Sequence, residues 1–327
     1  MHIEGMKDIS EESMFLAIKK SVSGIEFKTF LVGISSDNLE LKLNFRKSAE
    51  KFISKEFGAE QVSDNSEDLG IIINLERGLV EAKPSNLFIE GKYNKFSRKI
   101  AQTFHYCFKC KGKGCANCNN TGKLSEESVQ ELIEKIILPA FDSKESKFHG
   151  CGREDADVKM LGKGRPFVIE LVAPLKRNLN LKKIENEINL ANENKIAVSD
   201  LKLSTKKRVV EIKNTPFSKI YFAICISEEI ISENEIYELQ NQKFDIIQLT
   251  PVRVEKRRVM KERPKNAEIL ETNYIDKNTF SVKILASHGL YVKEFISGDE
   301  ERTKPNISEF LKKKCFCKEL DVLEIVL

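Results

Sequence analysis

An α+β fold is predicted, on three observations. The first 100 residues alternate helical patterns with short apolar strands, the later residues are dominated by strand-like runs joined by polar turns, and 327 residues with 41% hydrophobic content suffice to bury a sizeable core. Two domains, or one domain with an appendage, fit that length. The boundary is set at the polar stretch before residue 125, giving regions 1–124 and 125–327.

Taken in order, Ser10-Glu11-Glu12 caps a short helix over 14–18, and 27–34 (FKTFLVGI) reads as a strand. Residues 46–57 return to helical spacing: Ala49, Phe52, Ile53 and Phe57 recur every three or four residues, with Lys47, Glu50, Lys51, Lys55 and Glu56 opposite. Strand-like pieces follow at 69–75, 79–82 and 87–89, punctuated by Gly78 and Pro84. Ser125-Glu126-Glu127-Ser128 opens a helix with Val129, Leu132, Ile133, Ile136 and Ile137 on its apolar side, expected to end before Pro139. Beyond it 181–193 is helical, 196–203 is strand-like, and Lys206, Lys207 and Arg208 lie in a polar stretch. Residues 218–226 alternate with period two, which puts Tyr221 on one face with Ala223 and Cys225. A tyrosine so placed is usually a core residue. Further strands are expected at 243–250, at 268–274 and 279–286 as a hairpin around Asp276-Lys277-Asn278, and at 320–327.

No apolar run approaches the roughly 18 residues of a membrane span, and MHIEGMKDIS lacks the basic start and apolar core of a signal peptide. A cytoplasmic protein without membrane attachment is the expectation. The net charge of +4 is too small to argue for nucleic acid by itself, so any basic surface must be local. Two segments qualify. In 91–102 (GKYNKFSRKIAQ), Lys92, Lys95, Arg98 and Lys99 interleave with Tyr93 and Phe96; they could hold phosphates and stack on bases, or form a solvated helix face with its aromatics inward. Between 251 and 265, seven basic residues (Arg253, Lys256, Arg257, Arg258, Lys261, Arg263, Lys265) stand against two acidic ones, a patch suited to phosphate or else a charged hairpin tip.

Four of the 8 cysteines fall in two Cys-x-x-Cys pairs, Cys107/Cys110 and Cys115/Cys118, separated by Lys-Gly-Lys-Gly. Four thiolates at this spacing can close tetrahedrally around one zinc, and four protein ligands leave no open position for catalysis. The expected metal is therefore structural. Asp155 sits in HGCGREDADVKMLGKGRPFVIEL, where Gly150 and Gly152 permit a tight turn and Gly162 to Pro166 should turn into a strand at 167–171. Gly162-Lys163-Gly164 lacks both the glycine spacing and the Lys-Ser/Thr of a phosphate loop.

Several separated segments together resemble one family, the archaeal-type tRNA pseudouridine synthases that act on T-loop uridines 54 and 55. They are LERGLVEAKPSNLFIEGKYNKFSRKIAQT, CFKCKGKGCANCNNTGK, the Asp155 segment, QLTPVRVEKRR and GLYVKEFISGDEERTKP. The resemblance implies an amino-terminal RNA-binding domain of the THUMP-containing type with a zinc knuckle, then a pseudouridine synthase core on a mixed, mostly antiparallel sheet. It assigns the catalytic carboxylate to Asp155 of Gly-Arg-Glu-Asp, a base-stacking tyrosine to Tyr221 and a basic partner to Lys293, whose ammonium would be the counter-charge of Asp155. Phe295 would pack beneath. The implied reaction breaks the N1 glycosidic bond, turns the uracil and rejoins it through C5, with no organic cofactor. Lys92, Tyr93, Lys95, Arg98, Arg153, Arg253, Lys256, Arg257, Arg258 and Arg302 would hold tRNA about its T-loop and acceptor region, with no obligatory protein partner. The chain departs from the pattern at Cys151, Lys256 and Glu300-Glu301, where alanine, histidine and Phe-Gly are usual. A non-catalytic tRNA-binding or remodelling protein is the alternative from another class.

Overall fold

The computed structural model describes residues 10–64 and 66–326. Residues 1–9, where no signal peptide is expected, and Leu327 of the expected last strand lie outside the described residues.

Helix α1 (Glu11–Ser21) begins where Ser10 accepts the Ser13 N–H, the expected cap. It packs with β1 (Thr29–Ser35), α2 (Leu39–Phe57), β2 (Glu60–Gln61), β3 (Leu69–Asn74) and β4 (Leu79–Pro84) into a small unit. The strand order is β2-β1-β3-β4, parallel across the first three and antiparallel at β3/β4. Its core is Met14, Ile18, Phe30, Val32, Ile53, Leu69 and Ile71, fully buried because the helical and period-two patterns aim them inward.

The remaining elements are β5 (Leu87–Lys95), α3 (Val129–Phe141), β6 (Glu145–Gly150), β7 (Lys159–Val172), α4 (Leu181–Ala191), β8 (Ile196–Ser204), α5 (Lys206–Asn214), β9 (Ser218–Ser227), α6 (Glu233–Glu238), β10 (Lys243–Gln248), β11 (Arg263–Asp276), β12 (Thr279–Ala286), α7 (Val292–Ser297), β13 (Thr303–Lys304), α8 (Ile307–Leu311) and β14 (Cys315–Val326). Their strands form one sheet in the order β13-β10-β11-β12-β9-β14-β7-β5-β8, with β6 also on β7. Every pairing is antiparallel except β14/β7. The α+β class and the mixed, mostly antiparallel sheet are borne out. No helix among the described residues is long and apolar enough to cross a membrane.

Four expectations need correction. The two hydrophobic cores part between β4 and β5, not at 124, because β5 is an inner strand of the large sheet and α3 lies in the same core. Helix α3 runs through Pro139, which is tolerated two residues before the end, where Asp142 takes a left-handed conformation (φ 48°) and donates its N–H to the Leu138 and Pro139 carbonyls. The polar stretch at 206–208 opens α5, capped by Thr205. Gly162 to Pro166 is not a turn but the bent middle of one long strand, β7. Gly162 is required there: its φ is +58°, and a Cβ would lie 2.0 Å from the Leu323 carbonyl oxygen.

Candidate active site and metal centre

Asp155 lies on the loop joining β6 to β7, and that loop is held from beneath by side chains of β5 and β7. Glu154 turns inward and pairs with Arg165 at 2.9 Å, each side chain about 1% exposed. The Tyr93 hydroxyl donates to Glu154 (2.9 Å) and accepts from Gln102 Nε2 (2.8 Å), which also donates to the Gly152 carbonyl at 2.9 Å. Arg165 donates to the Cys151 carbonyl (2.7 Å), and Lys95 Nζ donates to the carbonyls of Ile100 (2.7 Å), Asp155 (3.1 Å) and Ala156 (2.8 Å). Burial pushes the Tyr93 phenol well above its ordinary value and holds Lys95 down to about 8. Tyr93 and Lys95 are thus corrected from RNA contacts to buried supports: β5 alternates, and both fall on its inner face.

Above the loop the environment reverses. The Asp155 carboxylate is 44% exposed and meets Arg253 Nη1 at 2.9 Å. Arg253 is itself fixed by the buried Glu294 at 2.5 Å and lies 5.7 Å from the Tyr291 ring centre. The counter-charge of Asp155 is therefore Arg253, which corrects the expectation for Lys293. Lys293 pairs with Asp157 at 2.6 Å, because the first turn of α7 aims it at the next carboxylate of the same loop. Against the cost of burial, Lys293 keeps Asp157 below the ordinary aspartate value. Asp155, Tyr221 and Lys293 nonetheless line one cavity of about 380 Å³, with Leu290, Val292 and Leu320 as its apolar wall. Tyr221 is half-buried there, and desolvation pushes its phenol up to about 12. Phe295 is fully buried and packs edge-on against Phe244 at 5.2 Å.

An adjoining cavity of about 520 Å³ is lined by Arg153, Arg258, Lys261 and Arg263 as well as Asp155 and Arg253. Arg153 donates to His105 Nε2 at 3.0 Å. The other expected RNA contacts are occupied within the protein. Lys92 pairs with Asp200 (2.9 Å) beside a different cavity; Arg98 braces Glu319 (2.8 Å), Asp321 (2.7 Å) and the Asp157 and Leu320 carbonyls; Arg302 holds Glu255 (2.9 Å) and the Thr250 carbonyl. Arg98 and Arg302 are thus both paired inside the protein, with side chains about a quarter exposed. The backbone of Lys256 and Arg257 belongs to the helical turn Val252–Arg257, but their side chains lie outside the described residues.

Sequence reasoning passed over Glu154, Arg165, Gln102, Asp157, Glu294 and Lys219. Only Lys219 carried a readable signal, since it precedes Tyr221 by two residues on an alternating strand and so shares its face.

The knuckle brings the sulfurs of Cys107, Cys110, Cys115 and Cys118 within 4.8 Å of one another. Adjacent Sγ–Sγ separations are 3.8 to 3.9 Å, and a tetrahedron with Zn–S bonds of about 2.3 Å has edges of about 3.8 Å. The donor set fits zinc. Backbone N–H groups of Cys115 and Gly122 point at Cys118 Sγ (3.3 and 3.2 Å), as outer support for a thiolate ligand. Gly122 is obligatory, because its φ is +73° and a Cβ would lie 2.4 Å from the Gly112 carbonyl oxygen.

A cleft so lined sets an exposed carboxylate among several cations. Comparison with known proteins supplies the family. The family model described as Pus10, C-terminal, matches residues 88–326, and the chain belongs to that family. It is 36% identical over 353 residues to the tRNA pseudouridine synthase Pus10 of Methanosphaera stadtmanae, covering 97% of this chain and 86% of that protein. It is 44% identical over 262 residues to the protein of the same name from Methanocaldococcus jannaschii, covering 79% of this chain and 57% of the relative. Among solved structures, a Cbf5-Nop10-Gar1 complex gives 12% identity with a TM-score of 0.33, covering 72% of this chain and 58% of that one.

Proposed function

We propose that the chain is a tRNA pseudouridine synthase that isomerises uridine 54, uridine 55 or both in the T-loop, with Asp155 as the catalytic carboxylate. One observation carries the reading: Asp155 and Tyr221 face one cavity in a chain of the Pus10 family. The target nucleotide must leave its stack, at a cost of a few kcal/mol that contacts elsewhere offset. Tyr221 then stacks on the uracil, and its hydroxyl is a candidate for moving the C5 proton. Asp155 acts on the ribose, as nucleophile at C1′ or as base toward the 2′ proton, once the entering RNA draws Arg253 away from it. The N1–C1′ bond breaks and the uracil turns while held; C5 then bonds to C1′ as the Asp155–C1′ bond breaks or the 2′ proton returns, and the C5 proton departs while N1 takes one up. Lys293 assists through Asp157.

The small amino-terminal unit and the knuckle are taken as the tRNA grip, with Arg153, Arg253 and Arg258 about the cleft and Lys256 and Arg257 of the Val252–Arg257 turn as further contacts. Zinc held by the four cysteines would fix the knuckle; about one ion per chain is expected by elemental analysis, lost in a Cys110→Ser/Cys115→Ser double variant. A tRNA substrate is in keeping with work in the cytoplasm. The test is release of tritium from 5-tritiated uridine in an unmodified tRNA transcript, with no added organic cofactor. Turnover by the wild type is expected; salt-sensitive tRNA binding without tritium release would make the chain a tRNA-binding protein instead.

A further inference from the structure

Within the cavity that holds Asp155, one group of cations stands apart from the paired Arg253 and Lys293. Lys219 on β9, Arg263 and Lys265 on β11, and Arg258 all line the cavity that holds Asp155, with His288 beside them. None of these four cations has a carboxylate within 4.0 Å among the described residues, whereas Arg253 and Lys293 in the same cavity are both paired. Lys219 is the telling member. It is only 7% exposed, and its Nζ has a single weak acceptor, the Phe217 carbonyl at 3.4 Å. Leaving a charged group buried with so little compensation is costly unless a ligand supplies the rest.

The cluster also repels itself. Burial, then Arg165, then Lys265 depress Lys219, to about 8; burial and Arg263 depress Lys265; burial, Lys219 and Lys265 depress His288. An anion seated among them would relieve both effects. Lys265 Nζ already donates to the His288 carbonyl at 2.7 Å, so the group is pre-positioned rather than splayed into solvent.

Resting on the reading of the chain as an RNA-modifying enzyme, we infer that Lys219, Arg263, Lys265 and His288 form a phosphate subsite that grips one phosphodiester next to the extruded uridine. A single nucleotide delivered to Asp155 brings one negative charge on each side of its ribose, and the cluster shares the cavity that ribose would enter. The subsite holds the backbone while the base turns, which is when base contacts are lost.

Two measurements test it. In the full chain with labelled histidine, the His288 imidazole should titrate at higher pH in inorganic phosphate than in chloride of equal ionic strength, and Lys265→Gln should abolish the difference. Identical titrations in the two salts would overturn the subsite, whether or not the protein modifies RNA. Second, tRNA transcripts carrying one neutral methylphosphonate linkage at each position flanking the converted uridine should show about a ten-fold loss of affinity at one linkage. That loss should be absent in Lys265→Gln, which has already forfeited the contact, and present in Lys265→Arg. Additive losses in Lys265→Gln, with normal conversion of uridine by the wild type, would leave the enzymatic reading standing and remove the subsite.

Discussion

Glu154 and Asp155 are neighbours in sequence and occupy opposite environments. Beneath the loop, Glu154 is dry, paired with Arg165 and hydrogen-bonded by Tyr93, in a layer where Gln102 and Lys95 satisfy the loop carbonyls. Above it, Asp155 faces an open cleft whose cations outnumber their carboxylates. The difference teaches where rigidity and reactivity come from. A buried polar layer with few free donors or acceptors fixes the backbone of the loop, while the outward carboxylate is held only by Arg253 at the mouth of the cleft.

The contrast can be broken from either side. Glu154→Gln strands the Arg165 guanidinium in the interior, and a loss of about 3–5 kcal/mol is expected by denaturant unfolding. Replacing both partners, as Glu154→Gln with Arg165→Met, should recover part of that loss; no recovery would mean that the pair is not the main term. Tyr93→Phe removes the hydroxyl that donates to Glu154 and accepts from Gln102, and should cost about 1–3 kcal/mol. It should not alter the salt dependence of tRNA binding, as it would if Tyr93 touched RNA.

On the cleft side the sharpest handle is pH. Lys219 is held down to about 8 in the free protein by burial and Arg165, with Cys151, Lys265 and His288 also facing it. A bound phosphate favours the charged form, so binding takes up a proton between the free and bound values, and tRNA affinity should fall as pH rises past about 8. Lys219→Arg should flatten that dependence. The smallest effect belongs outside both regions: Lys92→Ala breaks only a surface pair with Asp200 and should change tRNA affinity and stability by less than about 0.5 kcal/mol.

Much of this was legible in the chain. The helical and period-two patterns located most elements, and the cysteine pairs drew together as their spacing requires. Asp155 and Tyr221 were found through their motifs and do share a cavity. The polar layer was not legible, for a physical reason. Basic and aromatic residues interleaved at 91–102 look like an RNA surface until β5 is known to be an inner strand, at which point the alternation that exposes Lys92 necessarily buries Tyr93 and Lys95. Arg165 was hidden in what reads as a polar turn, and only its pairing with Glu154 makes a buried arginine tolerable. The choice of Arg253 over Lys293 as partner of Asp155 depends on the 2.5 Å contact to Glu294, a tertiary fact that no local pattern encodes.

On the proposed reading Asp155 carries the chemistry while the layer beneath only holds it in place. Mapping pseudouridine along an unmodified tRNA transcript, after reaction with the wild type and with Asp155→Asn, tests it most directly. The wild type should convert uridine in the T-loop, and Asp155→Asn should lower the rate by about 10²–10⁴-fold while tRNA affinity and melting temperature stay near those of the wild type. Full conversion by Asp155→Asn would contradict the account.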